Sequence, residues 1–118
     1  MSPTDALSQT HDLLSRVGWC QGASARDAHG RSVPCDNERA IQFSLDGALQ
    51  RVTWPDLAPD PEEPRLWETL TECMYRLAVA AGMNGDSSPW GYLIDWNDVN
   101  GRTREQVCEL VRRCRDES

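Results

Sequence analysis

Apolar residues recur every three or four positions in four stretches of the chain, which is the spacing of an amphipathic helix. The pattern predicts a first helix over residues 5–17 and a second helix from residue 36 or 37 to residue 52. A third helix is predicted over residues 63–81, and a last helix begins after residue 103. The third helix has the widest apolar arc, so we expect it to be covered on more than one side.

The helical spacing disappears between the first two helices. Residues 23–33 contain Asp27 and Gly30 at the first and fourth positions of a type I turn, which predicts a short β-hairpin. The run from Tyr92 to Trp96 suggests an extended segment that joins this hairpin. The predicted fold is therefore α+β, with about four helices packed on a small β-hairpin or a three-stranded antiparallel sheet.

Several residues are expected to start the helices or shape their packing. Thr4 would cap the first helix, and Thr103 with Gln106 would form a capping box for the last one. Gly47 lies inside the second predicted helix, where glycine costs about 1 kcal/mol relative to alanine. We therefore expect it to allow a close approach to another helix. Leu70 is expected to lie at the centre of the core.

Residues 53–64 contain four prolines and four acidic residues, which predicts a stiff, solvent-facing acidic linker. The remaining sequence is long enough for one modest hydrophobic core and too short for two. We expect a single domain over residues 1–118, with the linker inside it.

The five cysteines are an odd number, and no two of them form a C-x-x-C pair. We find no secretory signal and no run of 18 apolar residues. These features predict a cytoplasmic protein that does not enter membranes. Its cysteines should be reduced thiols that pack as small apolar residues.

The formal net charge is −7, and the chain contains twelve arginines and no lysine. A charge of this sign repels nucleic acid, so direct binding to DNA or RNA is not expected. An acidic surface favours docking on a basic protein. The expected partner is another protein with a basic or a nucleic-acid-binding surface.

Two segments of the chain match a known pattern. Residues 18–23 read Gly-Trp-Cys-Gln-Gly-Ala, and residues 96–98 read Trp-Asn-Asp, followed by Gly-Arg-Thr at 101–103. The chain thereby resembles a small family of uncharacterised bacterial and phage proteins. The resemblance implies a shared fold and carries no activity. It also suggests a phage or mobile-element setting, in which an inhibitory or host-modulating role would fit.

A thiol enzyme is the main alternative interpretation, with Cys20 as nucleophile and His29 as its base. Cys20 follows the end of a predicted helix, where the helix dipole disfavours a thiolate. Asp95 and Asp98 could act as an acid–base pair, although an acidic chain has such neighbours by chance. No phosphate-binding loop or hydrolase motif is present.

A metal site is a further alternative, but its ligands would be widely spaced in the sequence. Structural zinc sites usually include ligand pairs two to four residues apart, which this chain lacks. We therefore expect no cofactor and no metal. The four possible ligands are His11, Cys20, His29 and Cys35.

The sequence as a whole favours a small, acidic, non-catalytic protein-binding module. Tryptophans that lie at a surface and the acidic residues of the linker are the expected contacts, since aromatic anchors and complementary charge dominate many interfaces. The predicted partner-binding residues are Trp54, Trp67, Trp90, Asp56, Asp60, Glu62 and Glu63.

Overall fold

Five α-helices and a three-stranded sheet form the described part of the chain, which is residues 1–53, 64–84 and 88–117 of a computed structural model. The side chains of residues 64–67 lie outside this description. The helices are α1 (Pro3–Asp12), α2 (Leu45–Thr53), α3 (Pro64–Ala80), α4 (Pro89–Asn97) and α5 (Arg104–Asp116), and the strands are β1 (Ala25–Arg26), β2 (Ser32–Val33) and β3 (Gln42–Phe43). The predicted α+β class is confirmed, although the described residues contain five helices instead of about four.

Helix α1 begins two residues earlier than predicted. The Ser2 hydroxyl accepts a hydrogen bond from the Asp5 amide at 3.1 Å, and the Asp5 carboxylate accepts one from the Ser2 amide at 3.3 Å. This capping box shows that Ser2, and not Thr4, caps the helix. The predicted helical segment continues to Val17, but residues Leu13–Val17 form a wider π-helical turn.

Strand β1 lies at the centre of the sheet, antiparallel to β2 on one side and to β3 on the other. The turn between β1 and β2 is closed by the Gly30 amide, which donates to the Asp27 carbonyl at 3.0 Å. Gly30 has a φ of +77°, a conformation that glycine adopts without strain. The predicted hairpin is confirmed. The sheet has three antiparallel strands, as one of the two predicted forms has, but its third strand is residues 42–43 and not the segment from Tyr92 to Trp96.

The prediction that α2 starts at residue 36 or 37 is wrong, because α2 starts at Leu45. The Asn37 side chain accepts a hydrogen bond from the Arg39 amide at 2.8 Å, so it closes a local turn instead of starting a helix. Residues 42–43 pair with β1, and the Ser44 hydroxyl then accepts from the Gly47 amide at 3.1 Å. Residues 42–43, which the apolar spacing predicts to be helical, therefore form a strand that pairs with β1.

Gly47 lies in the first turn of α2, against the backbone of Ser24. A Cβ atom at this position would lie 1.9 Å from the Ser24 carbonyl oxygen, closer than atoms can pack. The predicted close approach is confirmed, but the neighbour is the segment before β1 and not another helix. Any side chain here would push α2 away from the sheet.

Helix α3 packs against α1, α2, α4 and α5, as expected of a central helix. Its buried side chains include Leu70, Cys73 and Leu77. The helix ends as predicted near Gly82, which has a φ of +107°. The predicted core helix is confirmed.

The prediction of an extended segment from Tyr92 to Trp96 is wrong, because these residues lie inside α4. The Ser88 side chain caps the helix, and Pro89 occupies its first position, where a missing amide is tolerated. Leu93 and Asn97, four residues apart, are both completely buried. The apolar run from Tyr92 to Trp96 resembles a strand because the residue that caps the helix, Ser88, lies upstream of this run.

Helix α5 starts as predicted. The Thr103 side chain accepts from the Gln106 amide at 3.2 Å, and the Gln106 side chain accepts from the Thr103 amide at 3.1 Å. The buried face of the helix contains Val107, Leu110, Val111 and Cys114. This face packs mainly against α1 and α3, which closes the core.

The predicted acidic linker at 53–64 falls almost entirely outside the described residues, and the single-domain organisation stays a prediction. Side chains from all five helices and from the sheet contribute to one connected hydrophobic cluster in the described part. None of the helices described is long and apolar enough to cross a membrane.

Replacing Leu70 by alanine tests the central position of α3. Loss of this buried side chain should lower the free energy of unfolding by about 2–5 kcal/mol, because it removes apolar contacts and leaves a cavity. Denaturant unfolding followed by circular dichroism measures the change. The neighbouring Thr71→Ala variant alters an exposed position and should change stability by less than about 0.5 kcal/mol. Similar losses for both variants would show that Leu70 is not central.

Candidate functional site

Asn97, the last residue of α4, joins three separate segments through its buried side-chain amide. Its Oδ1 atom accepts hydrogen bonds from Nε1 of Trp19 at 2.7 Å and from the Leu45 amide at 3.1 Å. Its Nδ2 atom donates to the Cys20 carbonyl at 3.1 Å and to Oδ1 of Asp98 at 3.0 Å. One side chain thus connects the loop after the π-helical turn, the start of α2 and the end of α4.

Further hydrogen bonds fix the same loop to the turn after α4. Nε2 of Gln21 donates to the carbonyls of Asn97 and Val99 at 2.9 and 3.0 Å. The Gly22 amide donates to Oδ1 of Asp98 at 3.0 Å. The two sequence motifs at 18–23 and 96–98 therefore form one structural unit.

A recess of about 200 Å³ opens beside this unit, and we refer to it as the carboxylate recess. Asp46 from α2 and Asp98 from the turn after α4 both line it, together with the exposed side chain of Ile94. The complete lining is Gly22, Ala23, Ser24, Ser44, Asp46, Ile94 and Asp98. The recess combines two acidic groups with an apolar wall.

Asp46 is only 6% exposed, yet it carries a carboxyl group. Burial raises its pKa above the ordinary value, and the nearby negative charge of Asp98 raises it further. The Ser44 hydroxyl, which donates to Oδ1 of Asp46 at 2.7 Å, acts in the opposite direction. Asp46 therefore holds its proton more tightly in the folded protein than in the unfolded chain.

The outer surface of α4 next to the recess is partly apolar. Ile94 is 37% exposed and Val99 is 47% exposed. The Arg102 guanidinium lies 3.9 Å from the centre of the Trp96 ring, and its Nε atom donates to the Trp96 carbonyl at 2.9 Å. We refer to the exposed part of α4 and of the turn after it as the α4 face. It consists of Ile94 and Asp98, which line the recess, of Asp95, Trp96 and Val99, which line a shallow groove with Tyr92, and of Arg102.

The carboxylates of the α4 face and the recess have no cationic partner among the described residues, whereas several other acidic side chains do. Ion pairs are found within α3, within α5, and between α1 and the π-helical turn. None of them includes Asp46, Asp95 or Asp98. Arg102 is stacked on Trp96, and the hydrogen bonds of nearby Arg26 go to carbonyl oxygens.

The proposed thiol nucleophile is buried in an unreactive state. The Cys20 Sγ atom lies 3.6 Å from the Ala23 carbonyl, and burial raises the pKa of the thiol to about 11. His29 is exposed at the tip of the β1–β2 hairpin. No hydrogen bond joins the two side chains, so the geometry does not favour the thiol-enzyme alternative.

The other thiols also pack as apolar residues. Cys35, Cys73 and Cys114 are buried, and Cys108 is half-buried. Burial raises the pKa of Cys35 to about 11 and that of Cys73 to about 12. No disulfide joins any of the five cysteines.

The proposed metal ligands do not form a cluster in the part of the chain that the structure covers. His11 lies half-buried on α1, and Cys35 is buried after β2. Within residues 1–53, 64–84 and 88–117, no group of three or more His, Cys, Asp or Glu side chains could hold a metal ion.

Most of the predicted partner-binding residues lie outside the described part. The exception is Trp90, which is half-buried on α4 and lines an apolar groove of about 200 Å³ with Leu70 and Met74 of α3. Trp67 belongs to α3, but its side chain is among those not described. The residues that fall outside the description are Trp54, Asp56, Asp60, Glu62 and Glu63.

Sequence reasoning missed Ile94 and Val99 as surface residues and Asp46 as a recess residue. The apolar pattern predicts an extended segment around Ile94, and it predicts a second helix that begins too early to show Asp46 in its first turn. The usable signal was Ser88-Pro89, a cap followed by proline at the first helical position, which would have placed α4 correctly.

The fold and the site define a class of small α+β domain in which a buried asparagine joins two sequence motifs beside an acidic recess. The chain belongs to the family of unknown function DUF6197, which it matches over residues 1–117. This match confirms the predicted kinship with an uncharacterised family. No curated protein and no solved structure matches the chain.

The raised thiol pKa values predict slow alkylation of the native protein. With a pKa of about 11, only about one Cys20 side chain in a thousand is a thiolate at pH 8, and that thiolate is shielded from solvent. Iodoacetamide labelling followed by peptide mass spectrometry should modify half-buried Cys108 first. Unfolding the protein should make all five thiols reactive. Rapid labelling of native Cys20 would restore the thiol-enzyme alternative.

Replacing Asp46 by asparagine should change how stability depends on pH. Because the native pKa of Asp46 is raised above its ordinary value of 3.8, the native state binds the proton more tightly than the unfolded state. The stabilising contribution of protonated Asp46 is therefore lost as pH rises through the native pKa. The free energy of unfolding of Asp46→Asn, relative to wild type, should increase with pH over this window.

Asp27→Asn provides a control of opposite sign for the same chemical-denaturation series. Hydrogen bonds from the Arg31 and His29 amides lower the pKa of Asp27, so its ionised form stabilises the native state. The Asp27→Asn variant should lose stability relative to wild type as pH rises. A pH-independent difference between Asp46→Asn and wild type would show that the native pKa of Asp46 is not raised.

Proposed function

We propose that the chain is a non-catalytic protein-binding module whose α4 face contacts a basic surface of its partner. Exposed Ile94 and Val99 would supply the apolar contacts of this interface. Asp95 and Asp98 lie beside them and would pair with arginine or lysine side chains of the partner. This combination of apolar centre and charged border is common at protein interfaces.

The observation that carries this proposal is the lack of a cationic partner for Asp95 and Asp98 within the described chain. Acidic residues on α3 and α5 are neutralised in part by arginines of the same helix. The carboxylates around the α4 face are left uncompensated in a chain whose net charge is already −7. A positively charged partner would relieve this local repulsion and be attracted from a distance.

The rigidity of the α4 face also supports binding. Arg102 is held by stacking on the Trp96 ring and by a hydrogen bond to the Trp96 carbonyl. Asn97 fixes the end of α4 through the hydrogen bonds of its buried side chain. Side chains that are already ordered lose little conformational entropy when a partner binds. Tryptophan and arginine are also the residue types most often found at the energetic centre of interfaces.

The surroundings of the cysteines favour binding over catalysis. Cys20 lies close to the carboxylate recess, but burial keeps its thiol protonated at neutral pH. The raised pKa of Asp46 alone does not make an enzyme, because general acid catalysis also requires a positioned substrate and a second reacting group.

In its more specific form, the proposal places the protein in the cytoplasm, without direct contact to nucleic acid or membrane. A partner that itself binds nucleic acid would fit, since a basic surface that attracts phosphates also attracts unpaired carboxylates. An inhibitory or host-modulating role for a phage or mobile element would use such a contact.

The test compares two valines of nearly equal exposure. Val99 on the α4 face is 47% exposed, and Val79 on α3 is 49% exposed. Partners captured from the source cells by the wild-type protein are purified and titrated directly. Val99→Ser should weaken binding about tenfold, as expected when an interface contact worth more than 1 kcal/mol is lost, whereas Val79→Ser should not.

Charge variants complete this experiment. Asp95→Arg should weaken binding at low salt, and high salt should weaken wild-type binding, because both reduce attraction to a basic partner. A partner that binds Val99→Ser and Asp95→Arg as tightly as wild type would show that the α4 face is not used. Turnover of a small molecule by the purified protein, with no recoverable partner, would contradict the binding function itself.

A further inference from the structure

A second groove, of about 400 Å³, lies between the π-helical turn and α2 and differs in charge from the carboxylate recess. Two arginines and one aspartate line it, together with three aliphatic side chains. We refer to it as the π-turn groove. The residues used in the argument below are Asp12, Leu13, Arg16, Val17, Arg51 and Val52.

Arg51 supplies a fixed positive charge to this groove. Its Nη1 atom donates to the carbonyls of Cys35 and Asn37 at 2.9 and 3.1 Å, and its guanidinium lies 5.9 Å from the centre of the Phe43 ring. These contacts use two of the five donor hydrogens of the guanidinium. The donors on Nε and Nη2 have no hydrogen-bond partner among the described residues, and no carboxylate there forms an ion pair with Arg51.

Arg16 adds a second positive charge to the lining of the groove. Its side chain is 80% exposed, and its Nε atom lies 4.0 Å from the Asp12 carboxylate, a separation that leaves the pair weak. Arg16 belongs to the π-helical turn, which the Gly18 amide closes by donating to the Leu13 carbonyl at 3.2 Å. Such turns are rare and are frequently located at functional sites.

The aliphatic side chains of the groove determine what else a ligand must contain. Leu13 and Val52 are half-buried, while Val17 is 51% exposed. Among the described residues that line the groove, two arginines and one aspartate leave one net positive charge, which matches a single carboxylate better than a phosphate dianion. A ligand with one carboxylate and an adjoining apolar side chain would satisfy both parts of the groove.

We propose that the π-turn groove binds the carboxyl terminus of a peptide that ends in an apolar residue. The terminal carboxylate accepts hydrogen bonds from the unused donors of Arg51 and from Arg16. The last side chain packs against Leu13, Val17 and Val52. Gln9 also lines the groove and offers an amide donor and acceptor to the peptide backbone.

The proposal is independent of the α4 face, because it concerns different residues and a ligand group of opposite charge. It is tested on the full chain, labelled with ¹⁵N, by titration with the tripeptide acetyl-Ala-Val-Leu carrying a free carboxyl terminus. Amide resonances around the π-turn groove should shift, with a dissociation constant on the order of 1 mM for a ligand this small. The same peptide with an amidated terminus should produce no comparable shift.

Variants at the two arginines locate the interaction. Arg16→Gln should weaken binding of the tripeptide at least about fivefold, because it removes a charge-assisted hydrogen bond. Arg113→Gln changes an exposed arginine on α5 and should leave binding unaltered. Arg51→Gln should weaken binding more, but Arg51 also anchors the Cys35–Asn37 segment, so Arg16→Gln is the decisive variant if Arg51→Gln does not fold.

Four outcomes would overturn the proposal. The first is the absence of shifts at about 10 mM tripeptide, a concentration well above the expected dissociation constant. The second is equal binding of the acid and the amide. The third is unchanged binding by Arg16→Gln. The fourth is tighter binding of octanoate than of the tripeptide, which would identify a site for free carboxylic acids.

Discussion

The four hydrogen bonds of the Asn97 side chain are the interaction on which the rest of the structure depends. An amide that is completely buried must find partners for its oxygen and its nitrogen, because leaving one unsatisfied costs about 1–3 kcal/mol. Asn97 finds them in two segments that are distant in sequence, at Trp19–Cys20 and at Leu45, and in its neighbour Asp98. Few other residues could replace it, since aspartate would lack the donor that Cys20 accepts from and leucine would lack both functions. The requirement for asparagine follows from this geometry alone.

The start of α2 shows how the buried Asn97 side chain is connected to the sheet. The Leu45 amide donates to Asn97, and two residues later Gly47 allows the helix to lie directly on the Ser24 carbonyl. Ser44 caps the helix with its hydroxyl and also donates to Asp46. Asp46 is therefore buried as a consequence of how α2 is seated. The carboxylate recess and the raised pKa of Asp46 result from the same packing that fixes the fold.

Local signals in the sequence were sufficient wherever a helix or turn is determined by its own residues. The Thr103–Gln106 capping box, the turn closed by Gly30 and the end of α3 at Gly82 were all predictable for this reason. The predictions were wrong where contacts with residues distant in sequence determine the secondary structure. Residues 42–43 pair with β1 instead of extending α2, and the run of apolar residues in α4 satisfies either a strand or a buried helix. The motifs at 18–23 and 96–98 were recognised, but their contact through Asn97 could not be derived from spacing.

The same limit applies to the surfaces that the two proposals use. Net charge alone predicted an acidic protein with one kind of partner, because composition does not reveal which charges neutralise each other. In the described structure, Arg76 of α3 and Arg112 and Arg115 of α5 pair with acidic neighbours, whereas Arg51 binds carbonyls and Arg102 stacks on Trp96. Both of these arginines act as structural supports. Among the described residues, the charge of Arg51 in the π-turn groove therefore has no acidic partner, and the carboxylates near Arg102 have no basic one. A chain of net charge −7 thereby carries unpaired carboxylates and an unpaired arginine at separate places of its described surface. Selective pairing inside the protein, more than its total charge, determines the local charge of each surface.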